Sequence, residues 1–292
     1  MASKIERIFS LHGILVCFSC IVFLGIVSLV CCCTVFCDEA IPWKEADEGL
    51  FVAELESNLK PENISFSITV VKIDPRNYSL RLLTATENGK EKHTAKEWSE
   101  NHGLLLAVNA GMFQEDGLTS VGYMKNFKHV NNSRLSSANS ILAFNPVDGD
   151  VPEIQLIDRE CQNFNELRQK YYSFVQSIRM ISCDRQNVWA QQNAKWSTLA
   201  VGEDTDGNIL FFYSKTPQSV HDLIEVLLSL PLSLKTAMYL EGGPQASLYL
   251  STPKMTLERN GVWEGLEENG PFQFSLPIPN VLGVVKKTHM KS

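Results

Sequence analysis

The sequence predicts an α+β (mixed α/β) fold, a single domain with a mixed, mostly antiparallel sheet and a few helices, after an N-terminal membrane helix. Three observations predict it. A long run without charged residues occupies positions 13–37. Short segments with strand-like apolar patterns recur from about residue 64 to the end of the chain. Convincing helix signals, by contrast, are confined to two short segments of that region.

The N-terminal segment carries the signals of a membrane anchor. Lys4 and Arg7 precede a run from Gly13 to Cys37 that contains no Lys, Arg, Asp or Glu. As a helix this run would span roughly 37 Å, which exceeds the ~30 Å hydrocarbon core of a bilayer. Acidic residues dominate just after it. Basic residues before the run and acidic residues after it predict that the N terminus is cytoplasmic and that the rest of the chain is extracytoplasmic.

Cleavage of the segment is the alternative to a retained anchor. The apolar part of a secretory signal is usually about 7–15 residues long, so the longer run favours the anchor. Cleavage near residues 34–40 would instead give a secreted domain. The cysteines at 31–33 and 37 are best interpreted as small apolar residues of a membrane helix. Palmitoylation of these cysteines is a second interpretation.

The rest of the chain predicts a short tether and one domain. We assign residues 1–12 to the cytoplasmic N terminus, 13–37 to the anchor and 38–60 to an acidic tether with a short helical pattern at 53–56. No internal boundary is evident beyond the tether. Residues 61–287 are therefore expected to form one domain.

Charge and cysteine usage exclude several classes of function. The net charge of −7 argues against nucleic acid as a partner. The six histidines are scattered without metal-ligand spacing, so neither a metal nor another cofactor is expected. Only Cys161 and Cys183 belong to the domain. In an oxidising compartment they could form a disulfide, and two buried thiols are the alternative.

The first half of the domain predicts strands around one short helix. Alternation from Ile64 to Val71 predicts a half-buried strand, and residues 78–83 are expected to be its neighbour across a turn. Thr94 with Glu97 three residues later predicts the N-cap of a helix. Further strands are predicted at 104–108, 121–124, 138–144 and 174–181.

The second half predicts a hairpin, a helix and three strands. Residues 199–202 and 209–213 flank a polar loop at 204–208, which favours a hairpin. That loop is a poor match to a calcium loop because the distal Glu is missing. Apolar spacing predicts a helix over 219–230 that ends before Pro231. The last strands are predicted at 237–240, 246–250 and 281–285.

The first candidate site follows the predicted strand at 104–108. The strand ends on Asn109-Ala110-Gly111, and a loop with Glu115 and Asp116 comes next. Polar residues at the end of a buried strand are typical of functional sites on a rigid scaffold. A tight strand exit is the structural alternative, since Asn and Gly are good turn formers.

The second candidate site is Glu241-Gly242-Gly243, at the end of the predicted strand 237–240. A charged Glu in this position must be solvated, paired or functional. The glycines would let backbone N–H groups approach an anionic ligand closely. A Gly-Gly-Pro turn with an exposed Glu is the alternative.

Taken together, these motifs resemble the phosphodiester glycosidase family. The resemblance covers about residues 64–285. It rests on Asn109–Phe113, Val121–Asn126, Gln176–Met180, Ala200–Gly202 and Leu240–Gly243. The chain departs from the family pattern at two points. Glu241 stands where Asp is usual, and Trp196-Ser197-Thr198 occupies a stretch in which members often have a basic residue.

The resemblance implies an extracytoplasmic hydrolase that cleaves a sugar-1-phosphodiester linkage in a surface glycan, glycolipid or glycoprotein. Glu241 is implied as nucleophile or base, and Glu115 or Asp116 as the second carboxylate. Arg179 would bind the phosphate through two N–H bonds, with a structural ion pair as the alternative. The other residues implied in substrate binding are Asn109, Gly111, Gly242, Gly243 and Ser247.

Two other functions are compatible with the sequence. A non-catalytic domain on the same fold could bind an anionic glycan without cleaving it. A nucleophilic hydrolase could use Cys183 with His221, or a Ser-based triad, although no G-x-S-x-G elbow and no recognisable cysteine-protease context is present. His129 could donate a proton in the glycosidase reaction, and a surface histidine without a function is the alternative.

Overall fold

The computed structural model of the protein describes residues 41–59, 64–264 and 275–288, without the side chains of 57–59, 64 and 65. The predicted membrane segment lies outside these residues. None of the helices in the described ranges has the length and apolar character needed to cross a membrane. The described residues belong to one compact unit that begins at Ile41.

The largest sheet has seven strands. They are β1 (Lys44–Asp47), β2 (Leu50–Leu59), β3 (Ile64–Ile73), β11 (Arg179–Ile181), β12 (Trp196–Asp204), β13 (Ile209–Gln218) and β14 (Leu234–Gly242). Their order across the sheet is β1-β2-β3-β13-β12-β14-β11. Each pair of neighbours runs antiparallel.

Two five-stranded sheets complete the described fold. One contains β6 (Met124–Asn126), β7 (His129–Asn132), β8 (Ser140–Pro146), β9 (Ile154–Asp158) and β10 (Tyr171–Ser177), in the order β7-β6-β10-β8-β9. The other contains β4 (Tyr78–Thr84), β5 (Leu106–Asn109), β15 (Ser247–Ser251), β16 (Thr256–Asn260) and β17 (Asn280–Lys286), in the order β16-β15-β5-β17-β4. The helices are α1 (Ala95–His102), α2 (Phe164–Leu167) and α3 (Val220–Ser229).

The prediction of a mostly antiparallel domain with few helices is confirmed. Three antiparallel sheets, however, replace the expected single mixed sheet. The predicted strand 174–181 breaks at Ile178, so that β10 and β11 belong to different sheets. Likewise β4 pairs with β17, and the prediction that it neighbours β3 is wrong. Apolar periodicity identifies strands but carries no information about which strand pairs with which.

The tether prediction is wrong where the structure describes it. Residues 44–59 form β1 and β2, and β2 pairs with β3 from Leu50 opposite Ile73 to Leu59 opposite Ile64. The segment 53–56, expected to be helical, is extended. Glu54 lies on the outer face and binds Arg259 at 2.9 Å, whereas Leu55 is buried. The glutamates on the outer face of β2 make this segment acidic, and its composition therefore resembled that of a linker.

Several local predictions are confirmed. Thr94 and Glu97 form the expected capping box of α1. Ser219 caps α3, whose apolar face packs on the seven-stranded sheet. Asp204 accepts hydrogen bonds from the backbone N–H groups of Asp206 (3.0 Å) and Asn208 (2.8 Å), which closes the β12–β13 hairpin.

The main hydrophobic core lies where the three sheets meet. It contains apolar side chains from strands of every sheet, with Phe144, Phe211 and Tyr78 among the largest. A smaller core lies under α1, where Trp98 is fully buried and donates its indole N–H to the Ile278 carbonyl at 3.0 Å.

Candidate active site

The two sequence motifs meet in the structure. β5 ends at Asn109, and β15 pairs with β5 immediately after the Glu241-Gly242-Gly243 segment. The side-chain oxygen of buried Asn109 accepts a hydrogen bond from the backbone N–H of Ser247 at 2.8 Å, although 138 positions separate the two residues. Asn109 and Ser247 therefore join the two motifs.

Glu241 is the buried acidic group of this region. Its side chain is 8% exposed, and Oε1 accepts a hydrogen bond from the backbone N–H of Gly242 at 3.0 Å. No Lys, Arg or His of the described ranges forms an ion pair with it. Desolvation by burial raises the pKa of Glu241 to about 7, against the lowering effect of the Gly242 hydrogen bond. A carboxyl group of this kind is suited to proton transfer near neutral pH.

Aromatic side chains cover Gly242. The indole N–H of Trp196 donates to the hydroxyl of Tyr239 at 3.2 Å, and both groups lie where a β-carbon on Gly242 would project. Burial, and then the nearby charge of Glu241, raises the pKa of the Tyr239 hydroxyl. Trp189 packs on Tyr239 with ring centroids 5.3 Å apart. Glycine is therefore required at position 242 for close aromatic packing.

A further tryptophan lies against the second glycine. Gly243 has a φ of +64°, and a β-carbon there would lie 2.9 Å from the ring of Trp263. Trp263 meets Trp196 nearly edge to face, at 6.1 Å, and about half of its surface is exposed. Sequence reasoning assigned the glycines to anion binding and missed these rings. The signal available was Trp196 itself, at the point where the family pattern changes.

A cavity of about 410 Å³ opens where β10 passes into β11. Met112, Gly122, Ser177 and Arg179 are among its lining residues. β14 runs beside it, because the backbone N–H of Tyr239 donates to the Ile178 carbonyl at 2.9 Å. The cavity thus lies alongside β14, the strand that carries Glu241.

Gln176 holds one wall of this cavity in place. Its side-chain oxygen accepts hydrogen bonds from the backbone N–H groups of Tyr123 and Ser136, each at 2.9 Å. Its amide nitrogen donates to the carbonyls of Ser136 (3.0 Å) and Ala138 (2.7 Å). All four hydrogen bonds join residues that are far apart in the sequence. The sequence therefore indicated a role for Gln176 only through the Gln176–Ser177 motif.

Arg179 forms the ion pair that was the alternative to phosphate binding. Its guanidinium donates twice to Asp158, at 2.8 and 2.9 Å, and once to Glu160 at 2.7 Å. The Arg179 and Asp158 side chains are 12% and 2% exposed. Two carboxylates therefore neutralise this cation at the edge of the cavity.

The second predicted carboxylate lies on an exposed turn. Asp116 accepts hydrogen bonds from the hydroxyl of Thr119 and from the backbone N–H groups of Leu118 and Thr119, which together lower its pKa. Glu115 is exposed and makes no hydrogen bond with the described residues. Gly111, before this turn, has a φ of +130°, a conformation that favours glycine. Asp116 thus has a structural task in stabilising the turn.

Cys161 and Cys183 form a disulfide. The bond joins the segment after β9 to the segment after β11, and the Cys183 N–H donates to Asp158 at 3.0 Å. Cys183 is consequently not a free thiolate, which contradicts the hypothesis of a Cys183–His221 nucleophile. His129, which was predicted as a proton donor, contacts the Thr86 hydroxyl at 2.9 Å.

The raised pKa of Glu241 predicts a pH-dependent stability. Between about pH 4.5 and 7 the folded chain keeps a proton that the unfolded chain releases, so stability falls as pH rises through this window. The difference in pKa corresponds to roughly 3 kcal/mol. We therefore expect the unfolding free energy of wild type, relative to Glu241→Gln, to drop by that amount between pH 4 and pH 8. Urea titrations at several pH values test this, and a constant difference would contradict it.

Comparisons with known proteins identify relatives of this fold. A sequence model of the phosphodiester glycosidase family matches residues 102–285. Curated protein sequences give no significant match. The catalytic domain of zebrafish N-acetylglucosamine-1-phosphodiester alpha-N-acetylglucosaminidase, auto-inhibited by its pro-peptide, has a TM-score of 0.61 and 11% identity, covering 84% of this chain and 86% of that one. A hypothetical Synechocystis protein has a TM-score of 0.58 and 16% identity, covering 85% and 64%. These two structures show the fold.

Proposed function

Because this chain belongs to the phosphodiester glycosidase family, we propose that it hydrolyses the bond between the anomeric carbon of a sugar and a phosphodiester. The substrate would be a surface glycan, glycolipid or glycoprotein. The observation that carries the proposal is Glu241, a buried carboxyl group whose pKa is raised to about 7 at the end of a rigid strand. Burial of this kind makes a carboxylate a stronger base.

The proposed reaction requires a base or nucleophile and a site that positions the sugar. Glu241, as the carboxylate, would activate a water or attack the anomeric carbon directly. The bond from that carbon to the phosphodiester oxygen breaks, and the phosphate leaves as a monoester with its electron pair. Water supplies the hydroxyl group on the released sugar. Glu115 or Asp116 remains the predicted second carboxylate.

The aromatic side chains near Glu241 support a sugar as the reacting group. Trp263 presents an exposed ring beside Gly243, and Trp196 and Tyr239 pack behind it. Aromatic rings offer a flat apolar surface with polar edges, which suits the C–H face of a pyranose.

We further propose that the domain works outside the cytoplasm, anchored by residues 13–37 or secreted after cleavage. The charge difference across that segment supports this orientation. The Cys161–Cys183 disulfide supports it independently, because disulfides persist mainly in oxidising compartments. A glycan substrate would be accessible to the domain there.

A non-catalytic glycan-binding domain is the second candidate. It is favoured by the tight aromatic packing over Gly242 and Gly243 and by the neutralisation of Arg179. A binding domain would give no turnover on any phosphodiester, and Glu241→Gln would keep its affinity for the glycan.

Turnover of defined substrates tests the proposed function. The fragment from Glu39 onward, and the full chain, would be incubated with aryl and nucleotide phosphodiesters of glucose, N-acetylglucosamine, galactose and mannose in both anomeric forms. We expect at least one to yield the reducing sugar and the phosphate monoester in equal amounts. Absence of turnover across the whole panel, from protein with an intact disulfide, would favour the binding domain.

A further inference from the structure

An exposed aromatic pair lines a groove away from the candidate active site. Phe127 connects β6 to β7, and Tyr172 lies near the start of β10. Their rings stack at 5.4 Å with an interplanar angle of 22°, although Phe127 is 50% and Tyr172 41% exposed. Ser177, which lines the cavity beside β14, lies at the other end of β10, roughly 17 Å along the strand. Exposed apolar surface of this kind commonly marks an interaction site.

The backbone at Phe127 is strained. Phe127 has a φ of +49°, whereas Asn145, which lines the same groove, has a φ of +59° that asparagine tolerates. Glycine or asparagine normally occupies such positions in tight hairpins, because the β-carbon of a bulky residue crowds the backbone. Backbone outliers of this kind cluster at binding and catalytic sites. The chain thus keeps an aromatic ring at a position where glycine would be more stable.

The groove offers uncharged hydrogen-bonding groups. Its larger part has a volume of about 690 Å³ and is lined by Phe127 and Asn145. An adjoining part of about 370 Å³ shares these two residues and is also lined by Tyr172. Asn145 donates through its amide nitrogen to the Ser173 hydroxyl at 2.9 Å. Among the described residues its amide oxygen has no donor, so this oxygen remains available to a ligand hydroxyl.

Two of the three basic residues that line the groove are neutralised. Lys286 pairs with Asp47 at 3.1 Å, and Lys287 pairs with Glu153 at 3.0 Å. Arg81, the third, is exposed and forms no ion pair with the described residues, so its guanidinium can donate to a ligand oxygen. An exposed aromatic ring with amide and carboxylate acceptors and one such donor suits a ligand rich in hydroxyl groups.

We propose that the Phe127–Tyr172 groove binds a saccharide chain, with one pyranose ring stacked on the outer face of the Phe127 ring. The apolar C–H face of the sugar would lie on that ring, its hydroxyls would donate to Asn145 and Glu153, and Arg81 would donate to a sugar oxygen. An extended peptide could add to β4, the terminal strand of its sheet, but such backbone pairing would not engage the exposed Phe127 and Tyr172 rings. The groove does not involve Glu241, so it stands whether or not the chain is an enzyme.

Binding of defined oligosaccharides to the full-length chain tests the groove. The probes are hexasaccharides of β-1,4-linked glucose, β-1,4-linked N-acetylglucosamine and α-1,4-linked glucose, titrated by calorimetry. We expect at least one to bind with a Kd of about 0.1–1 mM. Phe127→Gly and Tyr172→Ala should each weaken this binding at least tenfold, whereas Glu241→Gln should leave it unchanged.

Stability measurements separate a binding role from a structural one. Phe127→Gly relieves backbone strain while it removes the ring stacking, so we expect a melting temperature at or above that of wild type. Lys90→Gly is the matched control, since Lys90 is exposed, has a φ of +67° and does not line the groove. The Lys90→Gly variant should likewise have a melting temperature at or above that of wild type, and it should bind the saccharide with wild-type affinity. Failure of all three saccharides to bind, unchanged affinity in Phe127→Gly, or binding of an extended peptide alone would overturn the proposal.

Discussion

Replacement of Glu241 with Gln is expected to lower kcat/KM on a phosphodiester sugar by about 10³-fold, the size typical of a lost general base or nucleophile. Gln keeps the shape and the backbone hydrogen bond from Gly242, so the loss would report the missing carboxylate. At pH 8 the variant should also be more stable than wild type, because it no longer buries a negative charge. Lost activity together with gained stability is the combined result that a merely structural Glu would not give.

The pH profile gives the same experiment a second readout. A base or nucleophile must be ionised, so kcat/KM of the wild type should rise with pH and level off near pH 7. Glu100→Gln is a suitable control because Glu100 is exposed on α1 and pairs only with Lys96. It should retain wild-type kinetics. Activity within twofold of wild type in Glu241→Gln would remove Glu241 from the mechanism, and a profile that falls above pH 7 would assign it the role of acid.

Arg179→Met is expected to lower the free energy of unfolding by about 3–5 kcal/mol, the typical cost of removing one partner from a buried ion pair. The substitution leaves Asp158, which is nearly inaccessible to solvent, without its cation. Glu160 is more exposed and can be solvated when Arg179 is removed. Urea denaturation of the full domain measures the effect.

A double variant tests the cause of that loss. If the buried charge of Asp158 is responsible, Arg179→Met combined with Asp158→Asn should be more stable than Arg179→Met alone. The hydrogen bond from the Cys183 N–H can still be accepted by the Asn oxygen. A normal stability in Arg179→Met, with KM raised on phosphodiester substrates, would show instead that Arg179 binds phosphate.

Local chemistry made much of the fold predictable. The capping box of α1, the Asp204 turn and the apolar face of α3 depend on residues a few positions apart, so the sequence displays them directly. Pairing between distant strands was less predictable. The sequence near Ile178 does not indicate that β10 and β11 belong to different sheets, because the apolar pattern continues through the break.

The candidate site was predictable to the extent that it lies at strand ends. Asn109 and Glu241 were found because each polar residue follows a buried strand. Arg179 could not be assigned from sequence, since Asp158 and Glu160 reach it only in the folded chain. The tryptophans at 189, 196 and 263 were missed for the same reason, as they converge on Tyr239 and the glycines from separate segments.

The Cys161–Cys183 bond has a consequence for how the protein is produced. It cross-links the two segments beside Asp158, and so secures the acid that anchors Arg179 at the cavity edge. Protein expressed in a reducing bacterial cytosol would lack this cross-link, and its cavity wall would be less well held. Such a preparation could be inactive for reasons unrelated to Glu241. Secretion of the recombinant domain into the periplasm or the culture medium, with thiol titration of each batch, is therefore the appropriate route to every assay described above.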